Sequence, residues 1–385
     1  MTTFLLACAQ VNNYFSNMTS TISRFPRTAS ELTADWLTDV LISAGAVAPG
    51  SRISIVRLER IAEGVGFASF LYRAHLDLES DGPATIIVKW PTDHPAYLEL
   101  AASIRLYERE VVFYNEVAPT APVSAPRTYF AAFDADTSEF IIVMEDLAGL
   151  DNADHLAGLS IDRVRAVLDE LAAFHAWGWD LTSAATANAA FLLIDDARMA
   201  GLFSVGTAAG WPIYLEHGRA SAPAGLAEVL QEYSELAPRL LGALVEPVTL
   251  VNGDLRADNL FFGETGPHVT VDYQFAGRGC GMWDVAYLVG QGLTPQERGG
   301  RERDLVARYV QTLADSGIDY PFDQAWQQFQ IAVVAQIALP LLAMISWPTL
   351  NARGQELLQV LMERSFAIIA DTDAVTAIRA LPATD

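Results

Sequence analysis

Three oxygen-bearing side chains, Asp254, Asn259 and Asp272, lie close together in the second half of the sequence, each beside a short apolar run. A turn between the runs at 260–262 and 269–271 would bring Asn259 next to Asp272. An amide oxygen and a carboxylate side by side suit Mg²⁺, which takes oxygen ligands from the protein and from substrate phosphates. Asp254 would lie beside the metal without binding it, where a carboxylate can accept a proton. These residues also have a structural interpretation, because Asp and Asn in loops often accept backbone hydrogen bonds. This segment alone does not decide between the catalytic and the structural interpretation.

The first half of the sequence contains groups that could hold phosphates. Gly64 and Gly66 lie between two strand-like runs, where a flexible turn can place backbone N–H groups over phosphates, although such a pair is more often an ordinary hairpin. Lys89, the only lysine in the chain, ends the next strand-like run, and a later helix offers Glu108 and Glu110 as partners. Lysine is a compact point charge and arginine a planar fork, so a site that needs the point charge would retain lysine. This half favours the catalytic interpretation.

The elements around these residues predict an α+β chain with two domains. Residues 30–146 contain strand-like runs and one long helix at 97–117, which indicates an antiparallel sheet with one inserted helix. Residues 147–385 are mainly helical by period, except for the short β-runs at 248–272. Polar loops on such β-runs often carry function. Residues 1–29 are expected to form a poorly ordered N-terminal extension.

Charge and composition exclude several classes of protein. The 385 residues include 24 basic and 47 acidic side chains, and the formal net charge of −23 argues against a general binder of nucleic acids or anionic membranes. Because 51% of the residues are hydrophobic and 18% are charged, bulk disorder is excluded. Cys8 and Cys280 cannot form a disulfide framework, and no Cys/His cluster has zinc spacing, so we expect a cytoplasmic protein.

The longest apolar run, 331–345, is interrupted by Gln336 and Pro340 and is shorter than a membrane span. We therefore predict a buried core helix there and no membrane partner.

The ordered combination of motifs resembles the aminoglycoside phosphotransferase and choline-kinase superfamily, and is closest to its ecdysteroid-kinase-like branch and bacterial relatives. The resemblance covers about residues 30–370. It implies a bilobal protein-kinase-like fold, in which the N-lobe is an antiparallel sheet with one inserted helix. The C-lobe would be mainly helical, with a short β-hairpin that carries the catalytic loop. The motifs are Glu-Gly-Val-Gly-Phe-Ala-Ser (63–69), Ile-Ile-Val-Lys (86–89), Tyr-Glu-Arg-Glu-Val-Val-Phe-Tyr (107–114), Met-Glu-Asp-Leu (144–147), Asn-Gly-Asp-Leu-Arg-Ala-Asp-Asn (252–259), Val-Asp-Tyr-Gln (271–274) and Trp-Asp-Val-Ala-Tyr-Leu (283–288).

The resemblance implies ATP and Mg²⁺ as cofactors, and residues 30–146 as the nucleotide-binding lobe. Lys89 would hold the α- and β-phosphates and pair with Glu110 in preference to Glu108. Backbone groups of Glu145 and Leu147 would contact adenine. The implied nucleotide-binding residues are Gly64, Gly66, Lys89, Glu110, Glu145 and Leu147.

For the catalytic loop, the resemblance implies transfer of the γ-phosphoryl group to a hydroxyl group of a small organic molecule, bound within residues 147–385. Asp254 would orient and deprotonate that hydroxyl, and Arg256 would place a cation near the γ-phosphate. Asn259 and Asp272 would bind the metal ion. Asp284 would be structural and would tie the loop to the following helix.

One position departs from the family pattern, because Asn252 stands where a histidine is usual. That histidine mainly packs and hydrogen-bonds, and asparagine can still donate and accept, so the change bears on loop rigidity more than on chemistry. A nucleotide-binding pseudokinase or regulatory module is therefore the first alternative, and an aminoglycoside antibiotic kinase the second. His175, on an apolar helix face, is predicted to be a buried structural residue. The sequence does not disclose the acceptor or the oligomeric state.

Overall fold

The computed structural model describes residues 25–62 and 69–381. The predicted glycine turn with Gly64 and Gly66, and residues 1–24 of the predicted N-terminal extension, lie outside these ranges. The chain divides into two compact units. One contains the described residues up to Leu98 together with Arg127–Asp146, and the other contains Glu99–Pro126 and the described residues from Leu147 onward. This division groups 99–126, which we predicted as part of the first domain, with the second unit.

The first unit is built on a five-stranded antiparallel sheet. Its strands are β1 Ile53–Ile61, β2 Ser69–Leu78, β3 Thr85–Pro91, β4 Thr128–Asp134 and β5 Glu139–Glu145. They pair in the order β1-β2-β3-β5-β4, so β3 and its partner β5 have neighbours on both edges. Helix α1 (Ala34–Ser43) buries Leu37, Val40 and Leu41 against the sheet. Burial of such side chains is the main source of the sheet's stability.

Residues 25–29 of the predicted extension belong to this core, in contrast to our expectation. Phe25 is buried, and the carbonyl oxygen of Pro26 accepts a hydrogen bond from the indole of Trp90 at 2.9 Å. Arg27 forms an ion pair with Asp134 at 2.5 Å. These contacts are between residues far apart in the chain, so local composition could not reveal them.

The second unit is mainly helical, with short strands at its centre. Helix α2, Pro95–Ser103, begins in the first unit and ends in the second. The helices that follow are α3 Leu106–Val112, α4 Ile161–Trp177, α5 Ala197–His217, α6 Leu226–Gln231, α7 Tyr233–Gly242, α8 Met282–Tyr287, α9 Pro295–Arg298, α10 Glu302–Asp315, α11 Phe322–Ala335, α12 Ala338–Met344, α13 Ala352–Asp371 and α14 Ala374–Arg379. The strands are β6 Asp151–Asn152, β7 Thr249–Val251, β8 Leu260–Phe262, β9 Val269–Thr270 and β10 Gly277–Gly279. They form two small sheets, β6-β8-β9 and β10-β7.

The predicted helix at 97–117 is broken in the structure. Arg105, between α2 and α3, has left-handed backbone angles of φ 56° and ψ 36°. Its guanidinium group is held by Glu108 at 2.7 Å and by the carbonyl oxygen of Ala189 at 2.6 Å. After α3 the chain continues as a π-helical turn, Phe113–Val117. The periodicity does not show the break, because the contact with Ala189 comes from a distant segment.

The apolar run at 331–345 belongs to the segment Phe322–Met344, which is long and apolar enough to span a membrane by length and composition. In the most apolar 18-residue window of this segment, 72% is buried inside the protein, as is typical of a core helix. The segment consists of α11 and α12, joined at Gln336, whose side-chain amide donates to the carbonyl oxygen of Trp283 at 2.6 Å. The predicted burial is confirmed, except at the exposed end, Ile345.

Candidate active site

The loop after β7 is held by a fully buried carboxylate. Asp284, on α8, accepts hydrogen bonds from the backbone N–H groups of Asn252 at 2.6 Å and Gly253 at 2.9 Å. It also lies 3.2 Å from Nε2 of His175, whose Nδ1 contacts the hydroxyl group of Tyr309 at 2.7 Å. These contacts confirm the predicted structural roles of Asp284 and His175. The loop is thus fixed through its backbone.

The side chain of Asn252 adds to this rigidity. Its Oδ1 accepts a hydrogen bond from the backbone N–H of Asp254 at 3.0 Å. Because Asp284 binds the backbone, the loop geometry does not depend on a histidine at position 252. Gly253 has φ 87°, and a Cβ atom there would lie 2.2 Å from the carbonyl oxygen of Phe275, so this position requires glycine.

Asp254 is buried beside an arginine. Nε of Arg256 lies 3.2 Å from Oδ1 of Asp254, close enough for an ion pair although the N–H is not aligned for a hydrogen bond. Burial raises the pKa of Asp254; Asp272 also raises this pKa, whereas Arg256 and a hydrogen bond from Tyr287 lower it. The neighbouring Asp254 raises the pKa of Arg256, which therefore stays charged. A carboxylate whose pKa lies above its usual value is better matched to proton abstraction near neutral pH.

The hairpin formed by β8 and β9 joins Asn259 to Val271, the residue before Asp272. Leu260 is paired with Thr270, and the N–H of Val271 donates to the carbonyl oxygen of Asn259 at 3.0 Å. The side-chain Nδ2 of Asn259 donates to the carbonyl oxygen of Asp254 at 2.9 Å, which orients the amide. Asp272 follows β9 with left-handed angles, φ 66° and ψ 66°.

These residues fit a magnesium ion by their chemistry. The pair Asn259 and Asp272 offers one amide oxygen and one carboxylate, which are hard oxygen donors. Among the described residues, no group of three or more His, Cys, Asp or Glu side chains could hold a metal ion. A Mg²⁺ ion at this pair would therefore take its other ligands from water and phosphate, as Mg²⁺ at nucleotide sites does.

The predicted nucleotide-binding residues are divided between the two units. Lys89 is buried on β3, where its backbone is paired with Leu71 on β2 and Ile142 on β5. Glu110 is fully buried on α3 in the other unit, and its pairing with Lys89 stays a prediction. Glu108 is bound by Arg105 at 2.6 Å within its own segment, which favours Glu110 as the lysine's partner.

The predicted adenine contacts, Glu145 and Leu147, lie on either side of the point where the chain leaves the first unit. Glu145 is the last residue of β5, and its backbone N–H donates to the carbonyl oxygen of Arg127 at 2.9 Å. The carbonyl oxygen of Leu147 accepts from the N–H of Leu150 at 2.9 Å. The contact of these two residues with adenine stays a prediction.

Two residues around the catalytic loop were not predicted from the sequence. Tyr287 lies near Asp254, and the signal was its spacing of one helical turn from Asp284 on α8. Arg109 is buried and donates to the carbonyl oxygens of Ile104 at 3.0 Å and Ala276 at 3.3 Å. Burial lowers its pKa to about 9. No sequence signal distinguishes Arg109 from a surface arginine.

Comparison with known proteins agrees with this architecture. Residues 63–197 match the model of the Ecdysteroid kinase-like family. A mutant aminoglycoside 2'-phosphotransferase-IIIa in complex with GDP has a TM-score of 0.51 at 14% identity, over 89% of this chain and 98% of that chain. The GDP and kanamycin complex of APH(2")-IIia has a TM-score of 0.50 at 13% identity, over 88% and 98%. A putative aminoglycoside phosphotransferase from Ralstonia eutropha JMP134 has a TM-score of 0.50 at 14% identity, over 87% and 98%.

No curated protein sequence matches the chain. The family match and the solved structures confirm the resemblance found in the sequence, and the α+β kinase-like fold with it. At such low identity the solved structures show the fold alone, and the activity has to be argued from the site.

Proposed function

We propose that the protein is an ATP-dependent phosphotransferase that moves the γ-phosphoryl group to a hydroxyl group of a small organic molecule. The observation that carries the proposal is the loop at 252–256. There a buried carboxylate, Asp254, is presented on a backbone held by Asp284 and faces Arg256 at 3.2 Å. A purely structural loop would have no need to bury this ion pair beside two further oxygen donors, because burial of charge is costly.

Each residue then has a role in positioning or charge neutralisation, which dominate phosphoryl transfer. Asp254 accepts the proton of the acceptor hydroxyl, and Arg256 compensates negative charge on the transferred group. Asn259 and Asp272 hold Mg²⁺, and Lys89 binds the phosphates. Bound Mg²⁺ would supply the charge neutralisation that the triphosphate requires.

A cavity beside the catalytic loop indicates the class of acceptor. It has a volume of about 40 Å³, so it would take only one end of an acceptor, and Gly253 contributes to its wall. Phe203, Phe275 and Trp283 are among its apolar lining residues. Arg109 and Arg278 also line it, whereas no carboxylate does so among the described residues. We therefore propose an apolar, uncharged or anionic alcohol rather than a polycation.

The test is Mg²⁺-dependent formation of ADP from ATP with a panel of hydroxylated acceptors. Asp254→Asn should lower kcat by about 10²- to 10⁴-fold, the usual contribution of a general base, and leave ATP affinity unchanged. The matched control is Glu264→Gln, which should retain wild-type turnover. Glu264 is an exposed carboxylate in the turn between β8 and β9. Near-normal turnover of D254N would remove Asp254 from this role.

The pseudokinase alternative rests on Asn252. It predicts ATP binding without ADP formation for any acceptor. Because the backbone of the loop is held by Asp284 whatever residue occupies position 252, the structure offers no reason for the loop to be inactive.

A further inference from the structure

A second, smaller cavity lies behind the catalytic loop, on the side of α4. Its volume is about 20 Å³, and Glu170, His268, Tyr273 and Asn252 are among its lining residues. About 10–15 Å³ is enough for one water molecule, provided that two to four polar partners surround it. The cavity meets both requirements.

One polar atom in its wall has no protein partner. Nδ2 of Asn252 is buried and makes no hydrogen bond within the described structure. Its amide cannot turn to find one, because Oδ1 accepts from the backbone N–H of Asp254 at 3.0 Å. A buried donor without an acceptor is costly, so this atom calls for a partner inside the cavity.

Glu170 lines the same cavity and can supply an acceptor. Its Oε1 accepts from the backbone N–H of Ser124 at 3.1 Å, and its Oε2 lies 3.5 Å from Nδ1 of His268. The carbonyl oxygen of Ser124 accepts from the N–H of Thr270 on β9 at 2.8 Å. Glu170 is therefore anchored to the hairpin that carries Asp272.

We propose that one buried water accepts a hydrogen bond from Nδ2 of Asn252 and donates one to the carboxyl group of Glu170. Glu170 is thereby a positioning residue for the loop that carries Asp254. This inference rests on the function proposed above for Asp254, although the water site itself does not.

The ionisation of Glu170 gives the bridge a pH dependence. Burial raises the pKa of Glu170 to about 7, although the N–H of Ser124 opposes the shift, and burial lowers the pKa of His268 to about 4. The other titratable group in the wall, Tyr273, stays neutral because burial raises its pKa. Above pH 7 Glu170 is an anion, which is the stronger acceptor for the water.

The same shift has a defined effect on stability. The folded-state pKa of Glu170 lies above the ordinary value of 4.5, so its contribution to stability falls as the pH rises from 4.5 to about 7. His268 acts in the opposite direction between about pH 4 and 6.5, because its folded-state pKa is lowered. Just above pH 6.5, therefore, the change of stability with pH reports the ionisation of Glu170 without a contribution from His268.

The kinetic test uses Mg²⁺-dependent ATP hydrolysis without an acceptor, measured between about pH 5 and about pH 9. Glu170→Gln should abolish a wild-type inflection of kcat near pH 7 and lower kcat above it by about threefold to tenfold, the difference between a charge-assisted and a neutral hydrogen bond. KM for ATP should not change. The control is Asp169→Asn, because Asp169 is the next residue on α4 and pairs with Arg308 at the surface. It should retain the wild-type pH profile.

Two further measurements do not depend on turnover. Thermal melting of E170Q should lose the wild-type decrease in stability just above pH 6.5, and D169N should keep it. A high-resolution crystal structure of the wild type should show solvent density within hydrogen-bond distance of Nδ2 of Asn252. A structure without that density overturns the water, and identical pH profiles for wild type and E170Q overturn the positioning role. A wild type that forms no ADP, either alone or with any acceptor of the panel, overturns the proposed function together with that role, whereas the density and the melting curves still decide on the water.

Discussion

At the scale of single residues, the position of the only lysine is informative. The chain uses arginine for every other basic side chain, yet Lys89 lies on the central strand β3, where it is buried between neighbouring strands. A buried arginine would need room for a planar group and five donors, whereas an ammonium group is compact. The exception therefore points to a ligand that takes a point charge.

We predict that Lys89→Arg, a mild substitution by charge, weakens ATP binding at least about tenfold, or about 1.4 kcal/mol. The reason is that the guanidinium group cannot occupy the space of the ammonium group without displacing its surroundings. Isothermal titration with ATP and Mg²⁺ measures the effect. Thermal melting serves as the control for folding, and a well-folded K89R with wild-type affinity would show that Lys89 does not contact the nucleotide.

Individual motifs could be predicted because their residues are close in sequence. The pairing of β8 with β9, which joins Asn259 to the residue before Asp272, follows from two short apolar runs and one turn. The contact between Glu170 and His268 could not be predicted in this way, because it joins α4 to a distant hairpin and neither residue belongs to a motif. Sequence spacing specifies local geometry, whereas packing between distant segments depends on the whole fold.

At the scale of elements, the catalytic loop depends on one close approach between backbones. At Gly253 the loop packs against the segment that follows Asp272. A Cβ atom at this position would lie 2.2 Å from the carbonyl oxygen of Phe275. The carbonyl oxygen of Gly253 accepts a hydrogen bond from the indole N–H of Trp283 on α8 at 3.3 Å. The loop, the segment after Asp272 and α8 therefore meet at Gly253.

We predict that Gly253→Ala lowers kcat by more than about tenfold and lowers stability by about 1–3 kcal/mol, because alanine must adopt a positive φ and displace the carbonyl oxygen of Phe275. Turnover and thermal melting together measure the two effects. Gly266→Ala is the matched control: its φ is 92°, but the space around it is open, so it carries the backbone strain without the clash. Equal losses in both variants would show that the close approach is unimportant.

The break at Arg105 illustrates what limits prediction of elements. Apolar periodicity from 97 to 117 is compatible with one helix, and nothing in that window marks the left-handed residue. The break lets Phe113 stack on Tyr273 with ring centroids 3.5 Å apart. A tertiary contact beside Asp272 thus overrides the local preference for a continuous helix.

At the scale of the whole molecule, charge and local chemistry point to different acceptors. The formal net charge of −23 produces a field that attracts any polycation, including an aminoglycoside. The cavity beside Gly253, in contrast, is lined by Arg109 and Arg278, which donate to backbone carbonyl oxygens, and by apolar side chains. The field is screened over about 8 Å at physiological salt, so contacts inside the cavity should decide selectivity.

We therefore predict that, at physiological salt, a neutral steroid alcohol is phosphorylated with a kcat/KM at least about tenfold higher than kanamycin, because a cationic acceptor would bury unpaired charge near two arginines. Arg278→Glu should reverse part of this preference, since it places a carboxylate in the cavity wall. Arg303→Glu is the control, because this substitution changes the net charge by the same amount at a site away from the cavity. Arg303 lies on α10, over the rings of Phe322 and Trp326. If both variants shift selectivity equally, the long-range field rather than the cavity determines the acceptor, and the proposed acceptor class is wrong.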